Sequence, residues 1–328
     1  MSFIKIDQKA YEYNLEQIAT KVGGFEKIIC VLKDDAYGHK AKLIAPIARK
    51  MGVNFVAVKD EAEAIELESF FDNILILSHR PNSKENPKFI YALNDIKNID
   101  KYAKNTKIHL KIDSGMHRNG VCLEDLEKAL VLIRQNKLRL EGVFTHFASA
   151  DELDGSFFVQ KQNFKKAKEL CKSHFPSLIF HSYNSAALFR ADFVEDELCR
   201  IGLAQFGYAD LNLKKVLSLY ANKLSQRTLK KGQSLGYGFA FKASCDMEIS
   251  TYDLGYADGL FRFNGKGELR LANGKLMLGK MSMDSFSCEG VSDEICVLND
   301  ANVWAEFFNT INYEILVKLH SKIPRILV

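Results

Sequence analysis

Lys33 stands where an apolar run ends, in the stretch "IICVLKDDAYGHK" from Ile28 to Lys40. A lysine so placed either lays its stem along apolar surface with its charge in water, or is an amine held at a strand end for nucleophilic work. Other polar residues follow other apolar runs: Lys111 and Arg118 in "KIDSGMHRNG", His146 in "FTHFASADE", Asn184 and Ser185 in "HSYNSAA", and Arg200 with Gly202 in "CRIGLAQFGY". Singly, each has an ordinary structural use. A histidine can be a hydrogen-bonded core residue, and Arg118 and Arg200 can pair with Asp113 and Glu197. Converging on one mouth, these strand ends would make a cationic pocket with backbone amides near "NSAA" and "RIGLA", which suits a phosphate. An amine beside fixed cations gives up its proton more easily and can add to an aldehyde as a Schiff base. Phosphate plus aldehyde describes pyridoxal 5′-phosphate. A nucleotide is the weaker reading, because neither a Walker loop nor a dinucleotide fingerprint is present.

Such convergence needs elements that aim these residues together. Over the first two thirds of the chain, β-like runs alternate with segments of helical spacing. The runs are "KIICVLK", "NFVAVKD", "NILILSH", "FIYALND", "KIHLKIDSG", "LEGVFTHFA", "LIFHSYNSA" and "LCRIGLAQFGY". Eight such runs predict a (β/α)8 TIM-like barrel, with its chemistry at the carboxyl ends of the strands. The alternative is a doubly wound sheet with one strand too many assigned. Past about residue 212 the rhythm changes to glycines, aromatics and alternating segments, with Asn273-Gly274 signalling a two-residue hairpin. We therefore expect a barrel over 8–212 and a C-terminal antiparallel β domain over 213–328, the latter joined by residues 1–7.

Composition narrows the partners. The 328 residues are 47% hydrophobic, enough for a large core, and the net charge of +4 comes from 45 basic and 41 acidic residues spread evenly along the chain. That pattern implies no nucleic-acid partner. Apolar runs are strand-sized, and "MSFIKIDQKAYEYN" lacks the plan of a leader peptide, so a cytoplasmic protein is expected. Seven cysteines without CxxC spacing read as reduced thiols, and no metal site is expected.

In order along the chain, "VLKDDAYGHK", "KIDSGMHRNG", "THFASADE", "YNSAA", "RIGLAQFGY", "LGYGFAF", "LGYADG", "GKMSMD" and "KIPRI" resemble the motifs of pyridoxal-phosphate-dependent, two-domain alanine racemases over nearly the full length. The resemblance implies that Lys33 carries the cofactor covalently, and that Tyr37, Ser185 and the amides of Gly202 and Leu203 hold its phosphate. It implies further that Arg200 donates to the pyridine nitrogen and that His146 and Arg118 brace the site. Tyr237 of "GYG" would enter from a second subunit, so the active form would be a homodimer with shared sites. Substrate carboxylate would meet Arg118 and the amide side of Met283 and Asp284, while Tyr256 would narrow the entrance. Two positions set this chain apart or leave a question. Ser321 and Lys322 stand where some members place a phosphate-contacting tyrosine, and Lys111 stands where some carry a carbamylated lysine.

Racemisation takes the Cα proton from one face and returns one to the other, which calls for two acid/base groups. Lys33 and Tyr237 are that pair, with Arg200 and His146 helping the phenol ionise. A guanidinium on the ring nitrogen can only donate, which leaves that nitrogen unprotonated and favours quick return of the proton over transamination. The expected reaction is exchange of L- and D-alanine, supplying D-alanine for peptidoglycan. A broad-spectrum amino-acid racemase and a decarboxylase on the same barrel are the enzyme alternatives, and a cofactor carrier without turnover is the non-enzyme one.

Overall fold

Strands buried on both faces tend to be apolar, and the first four barrel strands read that way, as in "IICV", "FVAV" and "IYAL", while three of the last four carry buried polar residues among the apolar ones. After β1 (Phe3–Ile6) come β2 (Ile28–Val31), β3 (Phe55–Val58), β4 (Asn73–Ile76), β5 (Ile90–Leu93), β6 (Lys107–Lys111), β7 (Arg139–Phe144), β8 (Ile179–Tyr183) and β9 (Glu197–Ile201). In the computed structural model, which describes residues 1–152 and 154–328, β2 to β9 close into a parallel barrel. Each is one of the eight runs read from the sequence. Closure falls between β2 and β9, where Ile29 faces Arg200 and Cys30 faces Ile201. Gln205, fully buried, lies within 3.0 Å of the carbonyls of Val31, Ile201 and Gly202 and so ties the two strand ends together.

Helices cover the barrel where apolar residues recur at helical spacing, as in Ala41–Lys50, which buries Ile44, Ala45, Ile47 and Ala48. The helix Glu61–Leu67 starts on Asp60, whose carboxylate accepts from the Glu63 amide at 3.2 Å. Ser185–Arg190 starts on Asn184, whose side-chain oxygen accepts from Ala187 N at 2.9 Å. From the long helix Ser156–His174, Lys168 reaches Glu197 at 3.3 Å, while the other oxygen of Glu197 takes Ser182 Oγ at 2.5 Å. This buried network fixes the relative depth of β8 and β9, the strands that carry Ser185 and Arg200 at their ends.

The chain forms two compact units, Glu12–Ala36 with Ala41–Lys214, and Met1–Tyr11 with Tyr37–Lys40 and Lys215–Val328. The second is organised on β10 (Leu217–Leu229), long enough to take three neighbours. Its near half pairs with β1, and its far half pairs antiparallel with β13 (Met247–Tyr252) across a bulge at Lys223/Ser225. In the same sheet are β14 (Met277–Leu278), β15 (Phe286–Glu289), β16 (Glu294–Leu298) and β17 (Arg325–Leu327), and only the β1/β17 pair is parallel. Separate from it is a two-stranded ribbon, β11 (Ser234–Leu235) with β12 (Phe241–Lys242).

One hairpin differs from expectation. Leu271 N bonds to Lys275 O at 2.9 Å and Gly274 N to Leu271 O at 2.8 Å, which makes a three-residue loop. A two-residue I′ turn would need positive φ at both Asn273 and Gly274, and only Gly274 has it, at 82°. Among the described residues no helix is long and apolar enough to cross a membrane, no cluster of metal ligands occurs, and no cysteine is paired.

Candidate active site

Lys33, half-buried, follows the end of β2, and the backbone beyond it turns left-handed. Asp34, Asp35, Ala36 and Tyr37 have φ of 53°, 52°, 56° and 54°. For residues with a Cβ this conformation costs roughly 1–2 kcal/mol each. So many in succession persist only where surrounding bonds over-determine them. Ala36 N bonds to Leu32 O at 2.9 Å, and the Asp35 carboxylate accepts from Ala41 N at 2.8 Å. No glycine occurs among these residues, so the sequence gives no warning of the turn.

Within the barrel unit, His146 reports what converges on the mouth. Burial, then the charges of Arg200, Lys111, Arg118 and Lys33, push its pKa down to about 3, so the ring is neutral at any working pH. Four of the sequence-predicted cations therefore act electrostatically on one imidazole. Lys111 is buried at the end of β6, and burial followed by Arg118 and Arg200 lowers its pKa to about 8. Its ammonium is held by Asn119 Oδ1. Arg118 and Asn119 sit on an exposed loop whose start is organised by Asp113, which accepts from the amides of Gly115, Met116 and His117 at 3.0–3.1 Å.

Arg200 is buried, yet its pKa falls only to about 10, because burial is opposed by Glu197 and Cys199. It stays charged. Its Nη1 donates to His181 O at 2.5 Å and to His181 Nδ1 at 2.9 Å, and its Nη2 to Thr145 O at 2.5 Å. An arginine only donates, so His181 must accept at Nδ1 and carry its proton on Nε2. That proton points to His109 Nδ1, 2.8 Å away, which leaves the His109 proton on Nε2. Burial, then Arg200, holds both rings neutral, lowering His109 to about 3 and His181 well below the usual range. The relay ends at His109 Nε2, a buried nitrogen with no partner among the described residues. Arg200's own bonds leave from Nη1 and Nη2, so its Nε–H is left over for another acceptor.

At the ends of β8 and β9, Ser185 Oγ accepts from the amides of Gly202 at 3.1 Å and Ala204 at 3.4 Å. Ser185, Gly202 and the buried Leu203 are thus brought together, and Ala204 joins them. The donor set fits pyridoxal phosphate: hydroxyl and amides for the phosphate, a half-buried amine for the aldehyde, and a charged guanidinium with a spare N–H for the ring nitrogen.

The remaining predicted residues belong to the second unit. Tyr37 is buried and packs edge-on against Tyr313, ring centroids 5.8 Å apart. Tyr237 lies at the tip of the β11/β12 ribbon and is 64% exposed, between Gly236 and Gly238, both at positive φ. Tyr256 carries the Arg262 guanidinium 5.8 Å over its ring, and its amide bonds to Ser282 O at 3.2 Å. Met283 O accepts from Ala257 N at 2.9 Å, and a Cβ at Gly255 would lie 2.1 Å from that oxygen, so only glycine admits this approach. Met283, Asp284, Ser321 and Lys322 are exposed.

Sequence reasoning did not single out His181, His109, Ala204, Asn119 or Gln205. For the two histidines a signal existed. They occupy the centres of "KIHLK" and "IFHSY", two alternate strands, where inward side chains of a barrel share a layer.

A closed (β/α)8 barrel with a cation-lined mouth, joined in one chain to a mostly antiparallel β unit, defines a two-domain barrel class equipped to hold a phosphorylated cofactor. Comparison with known proteins narrows the class. The family model "Alanine racemase, N-terminal domain" matches residues 6–210, and "Alanine racemase, C-terminal domain" matches 216–327. An alanine racemase of Campylobacter jejuni is 69% identical over 328 residues, covering all of both chains. That of a Nitratiruptor species is 44% identical over 337 residues, covering 99% of each. A solved structure described as alanine racemase from Bartonella henselae with covalently bound pyridoxal phosphate superposes with a TM-score of 0.86 at 25% identity, covering 100% of this chain and 99% of that one. The chain belongs to the alanine racemase family.

Proposed function

We propose that this chain interconverts L- and D-alanine with pyridoxal 5′-phosphate, as a cytoplasmic homodimer that supplies D-alanine for peptidoglycan. The cofactor-binding part would be 8–212, and the β-rich part 213–328 with residues 1–7. The observation that carries the reading is Arg200, a guanidinium buried at a strand end, still charged, with Nε–H left over. When bound, the cofactor supplies an electron sink that acidifies the amino acid's Cα–H, and an arginine on its ring nitrogen keeps that sink moderate.

This chain's residues do the rest. Lys33 would hold the cofactor by its aldehyde, and its free amine would take or return the Cα proton on one face. Tyr237, contributed by the partner chain, serves the opposite face. Its exposure on a ribbon of its own unit is consistent with a residue completed by a second copy. Ser185 with the amides of Gly202, Leu203 and Ala204 binds the phosphate, together with Tyr37. Neutral His146 does not compete for protons at working pH, and it braces the site among the cations. Arg118 and the amides of Met283 and Asp284 take the substrate carboxylate, with Tyr256 narrowing the approach. Lys111 supports the Arg118 loop. Its lowered pKa makes a neutral amine available, which carbamylation requires.

A decarboxylase gains from a protonated ring nitrogen, so Arg200 counts against that alternative. Breadth of substrate is a matter of space near the β-carbon. The test is a panel of single-enantiomer amino acids with chiral analysis. Loss of enantiomeric purity in alanine well ahead of larger amino acids is expected. No exchange with cofactor bound would mean a carrier.

A further inference from the structure

The left-handed turn after Lys33 needs something to hold it, and the group that does so comes from another βα unit. Glu63 lies in the first turn of the helix Glu61–Leu67, three residues after the N-cap Asp60. In the D-x-x-E pattern the glutamate ordinarily reaches back to the N-cap's own amide. Here its carboxylate goes elsewhere. Oε1 accepts from Asp34 N at 2.6 Å and Oε2 from Lys59 N at 2.8 Å, and the amide of Asp35 also donates to it. One carboxylate thus gathers two consecutive amides of the strained turn and one at the end of β3. The arrangement is costly for the anion. Burial raises the Glu63 pKa, and the nearby Asp34 carboxylate pushes the same way, while the three amide bonds oppose. Asp34 also meets Lys59 Nζ at 3.4 Å, an exposed pair worth little.

We infer that Glu63 is a positioning residue for Lys33: by holding the amides of Asp34, Asp35 and Lys59, its carboxylate fixes the left-handed turn from which the lysine is presented. The inference rests on the reading of Lys33 as the cofactor-bearing base. Charge-assisted bonds to backbone amides are about twice as strong as neutral ones. They are therefore suited to holding positive φ at residues that have a Cβ. Geometry at a proton-transferring amine is demanding, and a misplacement of about 1 Å can cost up to about a hundredfold in rate.

Glu63→Gln tests this, because an isosteric amide must turn its NH2 toward one of the amides it now accepts from. In the holoenzyme, hydrogen exchange over residues 34–36 should quicken about tenfold while the barrel strands keep their protection, since about 1.4 kcal/mol corresponds to tenfold. kcat for alanine should fall about tenfold with KM within about twofold, and the visible circular dichroism of the bound cofactor should weaken. Adding Ala36→Gly, which removes the Cβ penalty at φ 56°, should return about threefold or more of the lost protection. Unchanged exchange in the turn would overturn the inference. So would equal loosening of the barrel strands, which would make Glu63 a general structural residue. Borohydride reduction of the wild-type holoenzyme is the separate check on the underlying reading. A label away from Lys33 sinks that reading, while exchange in the turn still reports on Glu63.

Discussion

Gly142→Ala probes the buried relay behind Arg200 without touching any residue that would meet cofactor or substrate. Gly142 faces His109 across the β6/β7 ladder, at a register shift, and the imidazole folds over it. A Cβ there would lie 2.6, 2.7 and 2.8 Å from Cε1, Nε2 and Nδ1 of His109. Non-bonded carbon atoms rest about 3.5–4.0 Å apart, so the ring must retreat by about 1 Å. Its other neighbours are the Phe55 ring, edge-on at 5.8 Å, and His181. A retreat of that size takes the 2.8 Å bond between His109 and His181 out of range and leaves His181 Nε2–H buried without an acceptor. Overpacking costs about 1–3 kcal/mol, and an unsatisfied buried donor a further 1–3 or so, giving about 2–6 kcal/mol in all. Urea unfolding monitored by circular dichroism should show a lowered midpoint with the slope unchanged. In a His109→Ala background the same methyl enters vacated space and should cost nothing. A Gly142→Ala penalty below about 0.5 kcal/mol, or one of equal size in both backgrounds, would refute the relay geometry.

Tyr237→Phe should leave cofactor binding intact and slow Cα proton exchange chiefly from one enantiomer, which deuterium wash-in from each alanine enantiomer measures; equal slowing from both argues against two bases. Mixing an inactive Lys33→Ala protein with an inactive Tyr237→Phe protein should restore activity in the heterodimers, and a mixture that stays dead removes the shared site. Lys111 gives a pH dependence of definite sign. Its pKa is lowered from 10.5 to about 8, so its buried charge costs stability fully below about pH 8. That cost is relieved as pH rises toward 10.5, where the native amine is neutral while the unfolded one still binds a proton. Relative to Lys111→Met, the wild type should therefore gain on the order of 3 kcal/mol over that span in chemical denaturation, and parallel pH curves would contradict the burial argument.

The barrel was legible because strands covered on both faces leave short, nearly unbroken apolar runs, and because a polar residue after each marks the end where chemistry sits. Lys33, Lys111, Arg118, His146 and Arg200 are singled out by that rule, and the four cations among them lower the His146 pKa together. The relay was not found, since a histidine between apolar neighbours reads as core and only the meeting of side chains from β6 and β8, which are not paired with each other, gives His109 and His181 a common purpose. Ala204 contributes a backbone amide, which carries no signature in its side chain. The left-handed turn escaped notice because Asp34 to Tyr37 contain no glycine, and its conformation depends on Glu63, far off in sequence. The Asn273-Gly274 turn shows the reverse error: a strong local dipeptide signal gave the right place and the wrong loop length, because Asn273 keeps negative φ.

Borohydride reduction of the cofactor-loaded protein, followed by proteolysis and peptide mapping, tests whether Lys33 is the residue that bears the cofactor. Loss of the near-visible absorbance is expected, with the pyridoxyl group recovered on Lys33. Recovery on Lys111 or another lysine, or a protein that binds the cofactor and yields no covalent label, would contradict that assignment.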